Sequence, residues 1–194
     1  MNWYAVERDS RALEYVAKPA TTLLLACAAA TLHPACGSER FAVVIALALC
    51  LAGDVFLMLP NEDLFVAGLA SFLVGHVVFV VGFVLGRGHG PWWQLTVPLA
   101  ALALSISARP VLRGAVAQDA RLRIPVVAYM AVIGVMLAAS ALPPNRLAIA
   151  GAATFVLSDS ILARNRFVAP LKHGQLATMM TYHAALALIV LSLR

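Results

Sequence analysis

Charged residues are scarce in this sequence. Asp, Glu, Lys and Arg make up only 12% of the 194 residues, whereas 62% are hydrophobic, and the mean hydropathy is +0.90. A water-soluble fold of this length would have to expose large apolar patches to accommodate so many hydrophobic residues. The composition therefore excludes a soluble enzyme and indicates a protein that lies in a lipid bilayer.

Cysteine is also scarce, and the three cysteines form no recognisable framework. Cys27 and Cys50 lie inside apolar stretches and Cys36 lies alone in a short loop, so neither a disulfide scaffold nor a CxxC metal site is indicated. The net charge of +5 comes from loop arginines without a nucleic-acid motif, and it favours contact with anionic lipid headgroups. We expect no cofactor, no metal and no nucleic-acid partner, and the sequence leaves the oligomeric state open.

Seven apolar stretches are about long enough to cross a bilayer. Backbone polar groups have no partners in hydrocarbon, and these stretches lack the alternation of barrel strands, so each span is expected to be a helix. Residues 1–17 are charged and do not resemble a cleavable signal peptide, so they are predicted as a cytoplasmic tail. Residues 18–194 are predicted as a single all-α transmembrane bundle, with spans at 18–33, 41–59, 64–86, 92–108, 124–142, 147–163 and 176–193.

Four ionisable residues interrupt the apolar stretches: Asp54, His76, Asp159 and His183. Each costs a few kcal/mol or more in hydrocarbon, so each is a candidate functional residue. The alternation of spans places Asp54 and Asp159 at a similar depth, about 6–7 Å from the same boundary of the membrane. Structural roles remain open, since an aspartate near a helix end can cap or snorkel, and histidine, Tyr182 or Ser71 can hydrogen-bond between helices.

Five short motifs follow one another on five predicted spans. They are Lys18-Pro19, Gly53-Asp54, Ser71-Phe72-x-x-Gly75-His76, Ser158-Asp159 and Tyr182-His183. In this order they resemble the YhhN-like membrane proteins, the lysoplasmalogenase family, over nearly the whole chain. The resemblance implies hydrolysis of the vinyl ether of lysoplasmalogen to a fatty aldehyde and a glycerophospho-ethanolamine or -choline. Members of that family usually have eight spans, so we expect the first of them to be missing here.

The implied reaction needs one acid and one anion. Hydrolysis of a vinyl ether starts with protonation of a carbon and passes through an oxocarbenium ion, as glycoside hydrolysis does. We expect Asp54 and Asp159 to supply the acid and the anion, without assigning which is which, because coupled carboxyl groups titrate together. Supporting roles are expected for His76, His183, Tyr182, Ser71 and Ser158, and phosphate binding for Lys18 and Arg109.

Other classes of membrane protein use similar residues. A proton-coupled transporter or channel would use the same Asp and His side chains as a proton relay and is the main alternative. An intramembrane aspartyl protease would need glycine at Leu51 for its GxGD motif, and a retinal protein would need a lysine in the last span. A zinc hydrolase could use His76, His183 and Asp54, but no HxxxH or HExxH spacing supports it.

The distribution of Lys and Arg predicts the orientation of the chain in the cell (inner) membrane. Ten lie in the N-terminal tail and in the segments after the fourth and sixth spans, whereas four lie on the opposite side. By the positive-inside rule the N-terminus is cytoplasmic and the C-terminus lies outside. A C-terminal reporter enzyme that is active only outside the cytoplasm should therefore be active, and a C-terminal fluorescent protein that matures only in the cytoplasm should stay dark. The reverse pair of signals would contradict the predicted orientation.

Overall fold

The computed structural model describes residues 11–34, 36–59, 62–86, 88, 93–143 and 145–194. These residues form seven long α-helices and one short 3-10 turn at Ala120–Leu122, and no strand. The predicted all-α fold is therefore confirmed over the described ranges. The helices are α1 (Arg11–Thr31), α2 (Gly37–Met58), α3 (Glu62–Leu85), α4 (Trp93–Gln118), α5 (Arg123–Ala139), α6 (Arg146–Phe167) and α7 (Gly174–Leu191).

Six of these helices, α2 to α7, are long and apolar enough to cross a membrane. The remaining helix, α1, carries Lys18, Thr21 and Thr22 among its apolar residues, and it starts at Arg11, before the predicted start of the first span. Packing against α2 and α7 gives α1 a place in the bundle. Its crossing of the bilayer stays a prediction.

The fourth helix is longer than the sequence predicted. We expected the span to end at residue 108 with Arg109 in a loop, but α4 continues through Pro110 to Gln118. Both Arg109 and Arg113 are exposed on this helix, where long basic side chains can extend towards the headgroups while the backbone stays helical. A basic residue therefore does not end the helix, and the prediction of a loop at Arg109 was wrong.

One end of the bundle is rich in basic residues, and we call it the basic end. It is the end at which α2, α4 and α6 finish and α3, α5 and α7 begin. Large apolar side chains without exposed surface fill the opposite half, among them Leu47, Phe79, Phe83, Leu186 and Ile189. The buried side chains Lys18, Asp54 and Ser158 lie in the half near the basic end, whereas the buried Glu39 lies in the opposite half. The basic residues at that end are Arg113, Arg121, Arg123, Arg164, Arg166 and Lys172.

The helices do not all pack against their neighbours in sequence. The pairs α2–α3 and α6–α7 form the most extensive contacts, and α5 contacts α3, α4 and α6. Within the described ranges, α3 and α4 do not contact each other. A gap therefore separates α3 from α4, and α5 and α6 lie behind it.

Candidate active site

The carboxyl group of Asp54 joins three helices. Its Oδ1 atom lies 3.3 Å from the Lys18 ammonium of α1, and its Oδ2 atom accepts hydrogen bonds from the Thr22 hydroxyl (2.7 Å) and the Tyr182 hydroxyl (2.9 Å). Lys18 and Thr22 are four residues apart and therefore share one face of α1. All four side chains are buried. One positive charge and two neutral donors therefore surround this carboxyl group.

The carboxyl group of Asp159 has different partners. The Tyr129 hydroxyl of α5 donates a hydrogen bond of 2.6 Å to its Oδ2 atom, and the Nε2 atom of His76 lies 3.7 Å from the same oxygen. The His76 Nδ1 atom lies 2.6 Å from the backbone oxygen of Phe72. Because a carbonyl oxygen can only accept, Nδ1 carries the hydrogen and a neutral His76 presents an acceptor to Asp159. Among the described residues, no lysine or arginine forms an ion pair with Asp159.

Two cavities meet at Asp159. The first, which we call the polar cavity, has a volume of about 440 Å³ and is lined by Lys18, Asp54, Ser158, Asp159 and Tyr182 among others. The second, which we call the apolar cleft, occupies the gap between α3 and α4 and is lined mostly by apolar side chains. Five residues line both: Leu57, Phe72, Tyr129, Asp159 and Leu162. The two carboxyl groups thus face one polar space, and Asp159 also borders an apolar one.

The remaining predicted site residues are more scattered. The Ser158 hydroxyl donates to the backbone oxygen of Thr178 (3.1 Å) at the wall of the polar cavity. The Ser71 hydroxyl donates to the Leu49 backbone oxygen (2.8 Å), a bond between α3 and α2, and His183 is buried against the Tyr182 ring. Neither Ser71 nor His183 lines the two cavities.

The two predicted phosphate ligands differ in position. Lys18 lines the polar cavity, but its ammonium is paired with Asp54. Arg109 is exposed on α4 and lines neither the polar cavity nor the apolar cleft. The basic residue that does border the cleft is Arg166, whose guanidinium lies 4.7 Å from the centre of the Phe65 ring.

Sequence reasoning missed two residues of the site, Thr22 and Tyr129. Both donate directly to a carboxyl group. A signal for Thr22 was available, because it follows Lys18 by one helical turn. Tyr129 is the only tyrosine of α5, but a lone tyrosine in a span is common as a hydrogen-bonding contact between helices and does not point to catalysis.

We also examined whether the candidate site contains a group of metal ligands. Over the part of the chain that the structure describes, no three His, Cys, Asp or Glu side chains are grouped closely enough to hold a metal ion. The groups that face the polar cavity are instead carboxyl, ammonium and hydroxyl groups. These groups can donate and accept protons, which is the chemistry of acid and base catalysis.

Comparison with known proteins gives a consistent set of relatives. The sequence model of the YhhN family matches residues 13–193. Lysoplasmalogenase TMEM86B of Homo sapiens is 35% identical over 147 residues, which are 76% of this chain and 61% of the relative. Lysoplasmalogenase TMEM86A of Bos taurus is 30% identical over 77% of this chain and 64% of its own length. A lysoplasmalogenase of Mycobacterium bovis is 30% identical over 84% of this chain and 63% of its own length.

The chain therefore spans a little over three fifths of the length of these curated relatives. No solved structure matches it.

The ion pair between Lys18 and Asp54 makes a prediction for stability. Removing one partner of a buried pair leaves an uncompensated charge, which costs about 3–5 kcal/mol, whereas removing both can be nearly neutral. Lys18→Met and Asp54→Asn should therefore each lower the melting temperature of the purified protein in detergent. The double variant should recover most of the loss.

Lys172→Met is the matched control, because Lys172 is exposed in the turn between α6 and α7. This substitution should change the free energy of unfolding by no more than about 0.5 kcal/mol. If the two single effects simply add in the double variant, Lys18 and Asp54 are not coupled and the ion pair does not exist in solution.

Proposed function

Because the chain belongs to the YhhN family, we propose that it hydrolyses the vinyl ether bond of lysoplasmalogens. The products are a fatty aldehyde and glycerophosphoethanolamine or glycerophosphocholine. The names of the relatives support this substrate, since each is called a lysoplasmalogenase. The proposal makes the chain a membrane-embedded ether hydrolase that takes its lipid substrate from the bilayer.

The observation that carries the proposal is the meeting of the polar cavity and the apolar cleft at Asp159. A lysoplasmalogen has a polar phosphate headgroup, an apolar chain and a vinyl ether bond between them. With the headgroup in the polar cavity and the chain in the cleft, the bond lies at the shared wall beside Asp159 and Tyr129. A ligand of this kind has one part whose polarity suits each space, and its reactive bond then lies beside an acidic group.

We assign the acid to Asp159. The Nε2 atom of a neutral His76 has a lone pair that faces the Asp159 carboxyl group. An ionised Asp159 would also be an acceptor, so the two groups face each other favourably only if Asp159 carries a proton. The surroundings contain rings of Phe155 and Tyr129 against His76 and no basic residue paired with Asp159 among those described. A protonated Asp159 satisfies both conditions and can donate to carbon.

We assign the anion to Asp54. The Lys18 ammonium and the hydroxyl groups of Thr22 and Tyr182 stabilise its negative charge, because charge-assisted hydrogen bonds are stronger than neutral ones. An anion fixed in place in this way stabilises an oxocarbenium ion without needing to reorganise. Lys18 therefore acts through Asp54, and the headgroup phosphate lies further towards the basic end.

The proposed reaction has three steps. Asp159 transfers its proton to the β-carbon of the vinyl ether, which forms the oxocarbenium ion. Water adds to this cation and gives a proton to Asp54, producing a hemiacetal. Asp159 then removes the hemiacetal hydroxyl proton while Asp54 protonates the glycerol oxygen, and the carbon–oxygen bond to glycerol breaks. One water is consumed, and both carboxyl groups return to their initial protonation states.

The first test compares lysoplasmalogen with its saturated-ether analogue. The purified protein should release a fatty aldehyde from lysoplasmalogen and none from the analogue, because a saturated ether has no carbon that can be protonated to give the stabilised cation. Aldehyde formation is followed by mass spectrometry. Cleavage of neither lipid, together with proton uptake by reconstituted vesicles, would replace the hydrolase proposal with that of a proton-coupled transporter.

Substitution of either carboxyl group should remove most of the activity. Asp159→Asn and Asp54→Asn should each lower kcat at least about a hundredfold, the usual scale for losing a general acid or base. The double variant should be little slower than either single variant, because the two groups act as one unit. The measurement is the initial rate of aldehyde release at saturating substrate.

Asp119→Asn provides the matched control for these substitutions. Asp119 is exposed and accepts a hydrogen bond from the Arg121 backbone nitrogen, a role that asparagine also fills. This variant should keep the wild-type rate. A rate within about threefold of wild type for either Asp54→Asn or Asp159→Asn would show that the carboxyl pair does not perform the reaction.

A further inference from the structure

The gap between α3 and α4 shares five lining residues with the polar cavity, and the proposed function places the hydrocarbon chain of the substrate in it. Within the described ranges, these two helices do not touch, although they follow each other in sequence. A small apolar cluster around Val111, Ala115 and Val126 holds α4 to α5, with Ala163 and Phe167 of α6 packed against it. Contacts with α2 and α5 hold α3 on the other side. The helices α3 and α4 therefore form opposite walls of the apolar cleft, and α5, which contacts both, lies behind it.

The interior of the cleft offers few polar groups to a ligand. Ser107 and Ser160 line it, but the Ser107 hydroxyl donates to the Ala103 backbone oxygen and the Ser160 hydroxyl to the Val156 backbone oxygen, each at 2.7 Å. Hydroxyl groups that bond to their own helix in this way are already satisfied. Apart from these serines, Asp159 with its Tyr129 donor and Arg166, the lining is apolar. A hydrocarbon chain is the ligand that this surface suits.

The cleft is narrow, with a volume of about 80 Å³, so a chain that enters it must part its walls. Its length and surroundings nevertheless match those of a lipid chain. Its lining residues on α6 run from Val156 to Phe167, about 16 Å along the helix axis. Next to its mouth, Val66 of α3 and Leu102 and Ile106 of α4 are 46%, 56% and 69% exposed. In a bilayer these exposed apolar side chains contact lipid. The mouth of the cleft therefore opens among lipid chains.

The two ends of the cleft differ. At the basic end, Arg166 lies over the Phe65 ring, and Phe65 makes an edge contact with Phe167 at 6.5 Å between ring centres. At the other end the walls are Ala100, Leu104 and Gly134, and a Cβ atom at Gly134 would lie 2.7 Å from a Leu104 methyl carbon. The Arg166 end therefore faces the headgroup layer of the bilayer, and the tight end limits how far a chain extends into the bundle.

We propose that the apolar cleft between α3 and α4 is the lateral opening through which the hydrocarbon chain of the lipid substrate leaves the bilayer, and that its walls at Ala100, Ala103 and Gly134 set the length of chain accepted. This inference rests on the proposed hydrolysis for the identity of the lipid. It adds the route of access and the residues that determine chain selectivity. Those residues lie on α4 and α5, whereas the proposed acid and anion lie on α6 and α2.

The first experiment measures chain-length selectivity in variants of α4. Lysoplasmalogens with chains from octenyl to octadecenyl are assayed with wild type, Ala103→Leu and Ala101→Leu. Ala103 lines the cleft, whereas Ala101 is exposed on the same helix and does not line it. The added side chain of Ala103→Leu should lower kcat/KM for octadecenyl substrate about tenfold or more while leaving octenyl substrate within about threefold of wild type. Ala101→Leu should match wild type for every chain.

An equal loss across all chain lengths in Ala103→Leu, or the same shift in Ala101→Leu, would overturn the assignment of the cleft. Ala100→Leu, on the same wall and nearer the tight end, provides a second variant if Ala103→Leu does not fold. A shortened chain preference in Ala100→Leu supports the proposal, and an unchanged profile overturns it.

The second experiment does not depend on turnover. A saturated-ether lysolipid with a diazirine at the end of its chain is photolysed with the wild-type protein in bilayer nanodiscs, and the labelled residues are identified by mass spectrometry. Labelling of Leu69, Ala103 or Met130 supports the cleft as the chain site. Labelling confined to the polar cavity, for example at Met179, overturns it.

The two experiments also separate this inference from the proposed function. Labelling in the cleft without any vinyl ether cleavage would retain the lipid-chain site and reject the hydrolase. Cleavage of lysoplasmalogen with labelling outside the cleft would retain the hydrolase and reject the lateral opening.

Discussion

The cost of placing charge in hydrocarbon constrains this bundle more than any other factor. Asp54 and Lys18 have almost no exposed surface, and each would be strongly unfavourable in the membrane without the other. Their pairing, together with the bonds from Thr22 and Tyr182, connects α1, α2 and α7 at one point. The shared carboxyl group supplies polar partners for the buried Lys18 and Thr22 side chains of α1, and it thereby holds α1 beside the other two helices.

The same constraint separates the two carboxyl groups chemically. Asp54 has a full positive charge beside it, whereas Asp159 has a phenol and a neutral imidazole nitrogen. The two carboxyl groups thus have different surroundings, and the proposed mechanism uses this difference to keep one as an acid and the other as an anion at the same pH. Besides its hydrogen bond to Asp159, Tyr129 lines both the polar cavity and the apolar cleft.

The sequence predicts the helical class, most of the spans and the main polar residues, because each depends on a local rule. An aspartate or histidine in an apolar stretch stands out, and so Asp54, His76 and Asp159 were identified. The pairing of Lys18 with Asp54, the role of Tyr129 and the gap between α3 and α4 depend on which helices are neighbours in space, and no local pattern specifies that. The end of α4 was misplaced because a charge such as Arg109 marks the edge of an apolar stretch and not the end of a helix.

The bond between Tyr182 and Asp54 joins positions 128 residues apart, whereas Thr22 is only 32 residues from Asp54. During biosynthesis Lys18 and Thr22 leave the ribosome before Asp54. The Lys18 ammonium of α1 can therefore pair with the Asp54 carboxylate of α2 as soon as both helices reach the translocon. The last donor arrives only with α7. Until then Asp54 lacks the hydrogen bond from Tyr182, and the α1–α2 pair has one unsatisfied polar side in the membrane. Completion of the site therefore coincides with insertion of α7.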